Sequence, residues 1–451
     1  MRHLFPLLFT IAILAVFTAC SPTESDPVEI PEWIEPDSAQ AIKRRIAIDF
    51  PKTYEDFVLI LHDRYPQTRP DSFRYFVDRH YIETMMIDGV EHVHRKALRN
   101  LTLLNPDMNG GWQLRGGNAS PERISYVDSV IGQAEGRNPI GAAHRIRMCF
   151  NIIVPYNPAL ANDTLRVWMP YPMETPRQTD IKLIRTSQPD YIISSPAQSA
   201  HHTIYFSAPV RNNTPTEFSY EVEFTTAGVY NSPESIMANL KPYDTSSAGY
   251  KKYTAFDSPH IIPLDSLARH IVGKETNPFK RSELVYDYII HNFPWAGARE
   301  YSTIPCIPEY VVERGYGDCG QVTLLYISLM RTLGIPARWE SGWMLHPGEV
   351  NLHDWAEVYF EGTGWVPVDV SFGRYTPSSD PRVVNFYSTS IDAHRFAANA
   401  GIGDDFYPPK RFIRSETVDT QLGEVECSKG NLFYPGWNQQ LELLSVTPVK
   451  K

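Results

Sequence analysis

The chain has no surplus of basic charge. Its 42 Lys and Arg side chains stand against 52 Asp and Glu, a formal net charge of -10, so no overall positive field gathers phosphates and a nucleic-acid binder is disfavoured. Cysteine is scarce: five in 451 residues are too few for a disulfide scaffold. No apolar run reaches the roughly 20 residues of a spanning helix; the nearest, Leu4 to Phe17, stops short. No calcium loop of the Asp-x-Asp-x-Asp-Gly kind is present. Proline, by contrast, is plentiful with 37 residues, as are aromatics at 12%, which suits proline-punctuated strands and loops better than a long helical bundle. The length gives a prior of roughly three domains.

The apolar run comes after Arg2-His3 and ends in Thr18-Ala19-Cys20, the charged, hydrophobic and small-residue order of a secretory signal. Phe17-Thr18-Ala19-Cys20 resembles a bacterial lipobox, with Phe17 where leucine is commoner. The expectation is a signal peptide over 1–19, an acylated Cys20, and a tether over 20–45 in which Pro22, Pro27, Pro31 and Pro36 lie among acids without hydrophobic period. Lipid would then hold the protein at the cell envelope, on the outer membrane or periplasmic side.

Residues 46–140 read as mainly helical: Phe57, Val58, Ile60 and Leu61 recur at helical spacing, and Asp71-Ser72 could cap a helix through Phe76. His92 and His94 there lack a third ligand at metal-site spacing and read as solvated. Over 141–232 the pattern becomes that of strands. Met148 to Val154, Leu165 to Met169, Ile181 to Ile184 and Thr203 to Phe206 are separated by prolines, and Phe218, Tyr220, Val222 and Phe224 alternate with polar residues, which predicts a β-sandwich. His201-His202 falls in its loops and is expected to be solvated. From Asp265 the signal is helical again.

Chemistry concentrates in Gly315-Tyr316-Gly317-Asp318-Cys319-Gly320-Gln321. Asp318 with Gln321 three residues later forms a capping-box pattern that puts Cys319 at the first helical position, where free amides and the helix dipole favour a thiolate. Gly334 and Pro336 end that helix. Gly315, Gly317 and Gly320 also match a dinucleotide fingerprint, with Glu340 further on. That reading needs a preceding strand, whereas Pro308 to Arg314 looks like a short proline-started helix. Beyond the cysteine helix the pattern is that of a hairpin: Asn351 to Phe360, a turn over Glu361 to Gly364, and Trp365 to Val370. His353 and Asp369 belong near its open end. Pairing Phe360 with Trp365 would set them on opposite faces, and pairing Phe360 with Gly364 on one face. Asp354 is a rival partner for His353, but its side chain should face away across the strand.

Gly317-Asp318-Cys319, Leu333-Gly334-Ile335-Pro336-Ala337-Arg338, His353-x-Trp355-x-Glu357-Val358-Tyr359 and Gly364-Trp365-Val366-x-Val368-Asp369 look like the core of the transglutaminase-like superfamily. The resemblance covers about residues 265 to 375. It implies an α+β, papain-like catalytic core over 255–380, preceded by the β-sandwich and the mainly helical segment and succeeded by an extension over 381–451. It further implies Cys319 as nucleophile, His353 as base and then acid, and Asp369 as the carboxylate that orients the imidazole. The family usually adds an upstream side-chain donor to the oxyanion hole, for which Trp295 and Tyr301 are candidates. No metal and no cofactor is implied. The function expected is thiol-dependent acyl transfer on peptide or side-chain amides through a thioester, with water as acceptor. The partners are a peptide or protein amide and, through lipid, a membrane. Transglutamination proper and a non-catalytic glycan- or peptide-binding lipoprotein are the alternatives. Of the other cysteines, Cys149, Cys306 and Cys427 cannot all pair with one another.

Overall fold

Helix and strand signals separate along the chain, but the layers they build draw on distant segments. The computed structural model describes residues 31, 33–110, 115–117, 119–134 and 138–450; the expected signal peptide and Cys20 lie outside the described residues. Among these, no helix is long and apolar enough to cross a membrane. The end of the expected tether is folded: Ile34–Glu35 pairs with Asn431–Leu432, and Asp37 caps the helix Ser38–Asp49. Helices Tyr54–Arg64, Pro70–Asp78, Ala97–Leu104 and Pro121–Gln133 come next. Phe57 and Leu61 bury one face of the first against Phe73, Val93 and Leu101, each such burial stabilising by about 1.5–3 kcal/mol. Asp71-Ser72 does not cap: Pro70 occupies the first turn and Arg69 precedes it without a side-chain bond, as proline's fixed φ favours. His92 lies in a strand, Val90–Val93, of a small three-stranded sheet. His94 is buried rather than solvated, and burial pushes it down to about 3.

The β-sandwich is assembled from both ends of the chain. One sheet holds Ile140–Val154, Thr216–Val229, Gln178–Thr186 and the C-terminal Asn438–Pro448; the other holds Thr164–Pro170, Thr203–Pro209, Glu424–Glu426 and Asn431–Leu432 among its strands. Alternation sends Phe218, Tyr220, Val222 and Phe224 inward to meet Val167, Ile204 and Phe206. The segment 381–451 is therefore no separate appendage. Its strands close the sandwich, and Arg395–Asn399 pairs with Ala337–His346 in the sheet that carries His353. His201 also departs from expectation: it is fully buried, with Nδ1 3.1 Å from Asn399 Oδ1.

The remaining layer packs helices Pro278–Asn292, Ile307–Arg314 and Cys319–Thr332 on a four-stranded antiparallel sheet, in the order Gly364–Val368, Glu349–Phe360, Ala337–His346, Arg395–Asn399. Val322, Leu325 and Leu329 of the Cys319 helix pack with Trp339, Ala356, Val358 and Val366 of the sheet. The helix ends in a Schellman motif: Gly334 sits at φ 72, its N–H bonds Arg331 O at 3.0 Å, and Ile335 N–H bonds Met330 O at 2.9 Å. In the hairpin, Phe360 pairs with Gly364. Gly362 and Gly364 at φ 92 and 100 make that register accessible.

Candidate active site

Cys319 opens its helix as the capping pattern requires. Asp318 Oδ1 accepts from Gln321 N–H at 3.0 Å, and Gln321 Oε1 accepts from Asp318 N–H at 3.2 Å. The helix Ile307–Arg314 precedes the glycines, so they do not come after a strand as a dinucleotide site demands. Tyr301 Oη donates to Asp318 Oδ1. Arg115 braces the loop from the N-terminal segment, donating to Gly317 O, to Phe293 O at 2.8 Å and to Ser371 Oγ at 3.1 Å; burial lowers it to about 10.

Successive residues of the hairpin strand face opposite ways. On the side away from the Cys319 helix, His353 Nε2 lies 2.7 Å from Asp369 Oδ2. Asp369 Oδ1 accepts from Ser371 and Phe372 N–H, each at 3.1 Å. Arg395 Nη2 lies 3.1 Å from Asp369 Oδ2 and 2.9 Å from Asp392 Oδ2. The His353 ring packs 4.5 Å from that of Phe372 and 6.1 Å from that of Trp355. Burial alone would raise Asp369, but His353 and Arg395 outweigh it and hold the carboxyl below its usual range. Burial lowers His353, against the pull of Asp369.

On the helix side the neighbour is Asp354, whose carboxyl lies beside the Cys319 thiol. Gln421 Nε2 donates to Asp354 Oδ1 at 2.7 Å and to His353 O at 3.1 Å, and Asp354 lies near Asp419, which accepts from Ser341 Oγ. Burial, then Asp419 and Asp318, push Asp354 well up. The thiol is likewise pushed well up by burial, then by Asp354 and Asp318. This reverses the expectation of a resting thiolate. A helix terminus favours the anion by about 0.3–1 kcal/mol, up to about 2, which burial beside carboxylates exceeds.

Cys319 opens into a cavity of about 390 Å³ whose lining includes Lys96, Tyr301, Asp318, Asp354 and Glu416. His353 and Asp369 are not among its lining residues. Of the two oxyanion candidates, Tyr301 stands on the wall. Trp295 is not on it, and its ring lies under Arg99 at 5.0 Å. Sequence reasoning set Asp354 aside because it faces away from His353; that same alternation carries it to the thiol. Arg115, Arg395, Asp419 and Gln421 were not legible, having no local pattern. Cys149, Cys306 and Cys427 are free thiols.

Residues 265–370 match the family model of the transglutaminase-like superfamily, so the chain carries a transglutaminase-like core within an α+β fold. Among curated relatives, an uncharacterized protein of Haemophilus influenzae is 31% identical over 25% of this chain and 37% of its own. The uncharacterized protein YebA of Bacillus subtilis is 27% identical over 33% of this chain and 23% of its own. The chain thus spans well under half the length of these relatives. A solved structure of a candidate cysteine protease from Cytophaga hutchinsonii aligns over 69% of this chain and 95% of its own at 17% identity, with a TM-score of 0.46. The periplasmic domain of TgpA from Pseudomonas aeruginosa aligns over 58% and 94% at 15% identity, with a TM-score of 0.25.

Proposed function

We propose that this protein is a thiol-dependent acyl-transfer enzyme that hydrolyses peptide or side-chain amides. The observation that carries the reading is the Cys319 thiol at the first turn of a capped helix, opening into a cavity within the segment that matches the transglutaminase-like family. Cys319 is the nucleophile. We assign the thiol proton to His353 on the family resemblance: its Nε2 is engaged by Asp369, which leaves Nδ1, and the transfer requires the imidazole to approach the thiol from the face of the strand opposite Asp354; Asp369 fixes the tautomer and stabilises the imidazolium. Attack on the amide carbonyl forms a tetrahedral oxyanion, for which the Cys319 N–H is a donor left open by helix geometry; the Tyr301 hydroxyl is engaged by Asp318. His353 then protonates the leaving amine, and water hydrolyses the thioester with His353 again as base. Water is the acceptor because amine transfer needs a site that holds the amine at high effective molarity.

The test is a peptide-library digest read by mass spectrometry, comparing the wild type with Cys319→Ala and adding a labelled primary amine. Free carboxylate products lost in the variant are expected. Equal digestion by Cys319→Ala would remove the nucleophile, and a majority of amine-labelled product would replace the hydrolase with a transglutaminase. We further propose that acylated Cys20 tethers the enzyme at the envelope. Metabolic labelling with an alkyne fatty acid checks this, and equal label in Cys20→Ala would overturn it.

A further inference from the structure

Behind the His353 side of the sheet lies a second cluster that the proposed chemistry does not use. His346, Asp392 and His394 are at most 2% exposed, and one ligating atom from each lies within 4.8 Å of the others. His346 Nε2 is 3.2 Å and His394 Nδ1 3.6 Å from the same oxygen, Asp392 Oδ1. These are close to the edge of about 3.3 Å between ligands around a tetrahedral ion with bonds of about 2.0–2.1 Å. Yet neither contact has hydrogen-bond geometry, and His346 Nδ1 has no partner. Leaving such buried groups unsatisfied is costly, and their convergence on one carboxylate oxygen is what a shared cation resolves.

We infer that His346, Asp392 and His394 form a binding site for a divalent d-block cation of the zinc type. Two imidazoles and one carboxylate suit zinc, cobalt or nickel, and do not suit calcium or magnesium, which take oxygen ligands. The outer contacts fit the same reading. Asp392 Oδ2 accepts from Tyr387 Oη at 2.9 Å and from Arg395, and the His394 backbone N–H donates to Asp392 Oδ1 at 2.7 Å, which fixes the carboxylate in place. The Tyr126 ring lies 4.1 Å from that of His394 and 5.5 Å from that of His346, and His144 lies 4.8 Å from His394. The fourth position is left to water or, after a small movement, to His144. No motif announces the site in the sequence, because His346 stands 46 residues before Asp392, outside any metal-motif spacing. Through Arg395, which touches both Asp392 and Asp369, the ion would be one residue removed from the His353 pair.

The experiment uses the full chain stripped with a chelator and titrated with Co²⁺, then Zn²⁺. One equivalent of Co²⁺ is expected, with visible absorption of a tetrahedral nitrogen and oxygen site, displacement by Zn²⁺ and a raised unfolding midpoint. His346→Gln with His394→Gln should weaken uptake at least about 100-fold, near-ultraviolet circular dichroism reporting its fold. Failure of the wild type to take up Co²⁺, uptake unchanged in the double variant, or a sulfur-to-cobalt charge-transfer band placing the ion on Cys319 would each overturn the site. Should the double variant not fold, the wild-type spectrum and the single His346→Gln variant decide between these outcomes.

Discussion

His353 and Asp354 are chain neighbours on one strand, yet they look into two chambers that treat a buried carboxyl in opposite ways. Away from the Cys319 helix, Arg395 stands fully buried between Asp369 and Asp392, and both carboxyls lie below their usual range. On the helix side Asp354 meets Asp419, Asp318 and a thiol, and both Asp354 and Asp419 are raised. Burial is the largest influence on all four, and it raises every one. The partners decide the sign: His353 with Arg395 at Asp369, and Arg395 with His346 at Asp392, outweigh burial on one face, whereas the Ser341 hydrogen bond and Arg414 only moderate it at Asp419 on the other. One chamber therefore holds fixed charge that can orient an imidazole. The other shares protons and keeps the thiol neutral at rest.

The sharpest way to break this comparison is to ask which chamber holds the base. Cys319→Ala should bring hydrolysis of a library-derived peptide to background. His353→Gln should lower kcat/KM by about 10⁴, and Asp369→Asn by about 10³–10⁴ with the unfolding midpoint little changed. Asp354→Asn should cost less than about tenfold, because it leaves the His353 pair intact. Steady-state kinetics on one substrate checks all four. If Asp354→Asn caused the large loss and His353→Gln the small one, proton transfer would belong to the helix side.

Stability gives the next contrast. Arg395→Met leaves Asp369 and Asp392 buried without their shared counter-charge, and breaking a buried pair this way costs about 3–5 kcal/mol. Gln421→Ala removes a neutral donor to Asp354 and two backbone carbonyls, for which about 1–3 kcal/mol is expected. Urea unfolding midpoints at unchanged m-value rank the two. Equal losses would mean that the guanidinium does not hold the far chamber together.

Local signals carried the parts of this site that local physics builds. The capping box around Cys319, the Gly334 stop and the alternation that separates His353 from Asp354 are all written within a few residues. The hairpin register was open between two pairings, and the left-handed conformations of Gly362 and Gly364 realise the one that sets His353 and Asp369 on the same face. The groups that set the charge could not be read. Arg115 reaches Gly317 across 202 residues and Gln421 reaches Asp354 across 67. Such partners leave no period or spacing in a single sequence. The same holds for the sandwich, whose C-terminal strands pair with segments that precede the catalytic core.

The dependence on pH separates the chambers by sign. Burial raises Asp419 to about 6, against about 3.9 when unfolded. Between those values the unfolded chain has released a proton that the native state still holds, so the Asp419 contribution to stability is complete below about pH 4 and is lost as pH rises through about 6. A shift of that size corresponds to about 2–3 kcal/mol. Asp419→Asn has no proton to release, so relative to the wild type it should gain that amount between about pH 4 and 7. Asp369 runs the other way. Its carboxyl is lowered, so its contribution is present above the unfolded value of about 4 and lost as pH falls below it, and Asp369→Asn should lose ground against the wild type as pH rises towards about 4, with little further change above. Unfolding free energies of the wild type and both variants test the pair, below about pH 4 for Asp369→Asn and across about pH 4–7 for Asp419→Asn. Slopes of the same sign would mean that the two sides of the strand are one electrostatic environment, and that Arg395 does not divide them.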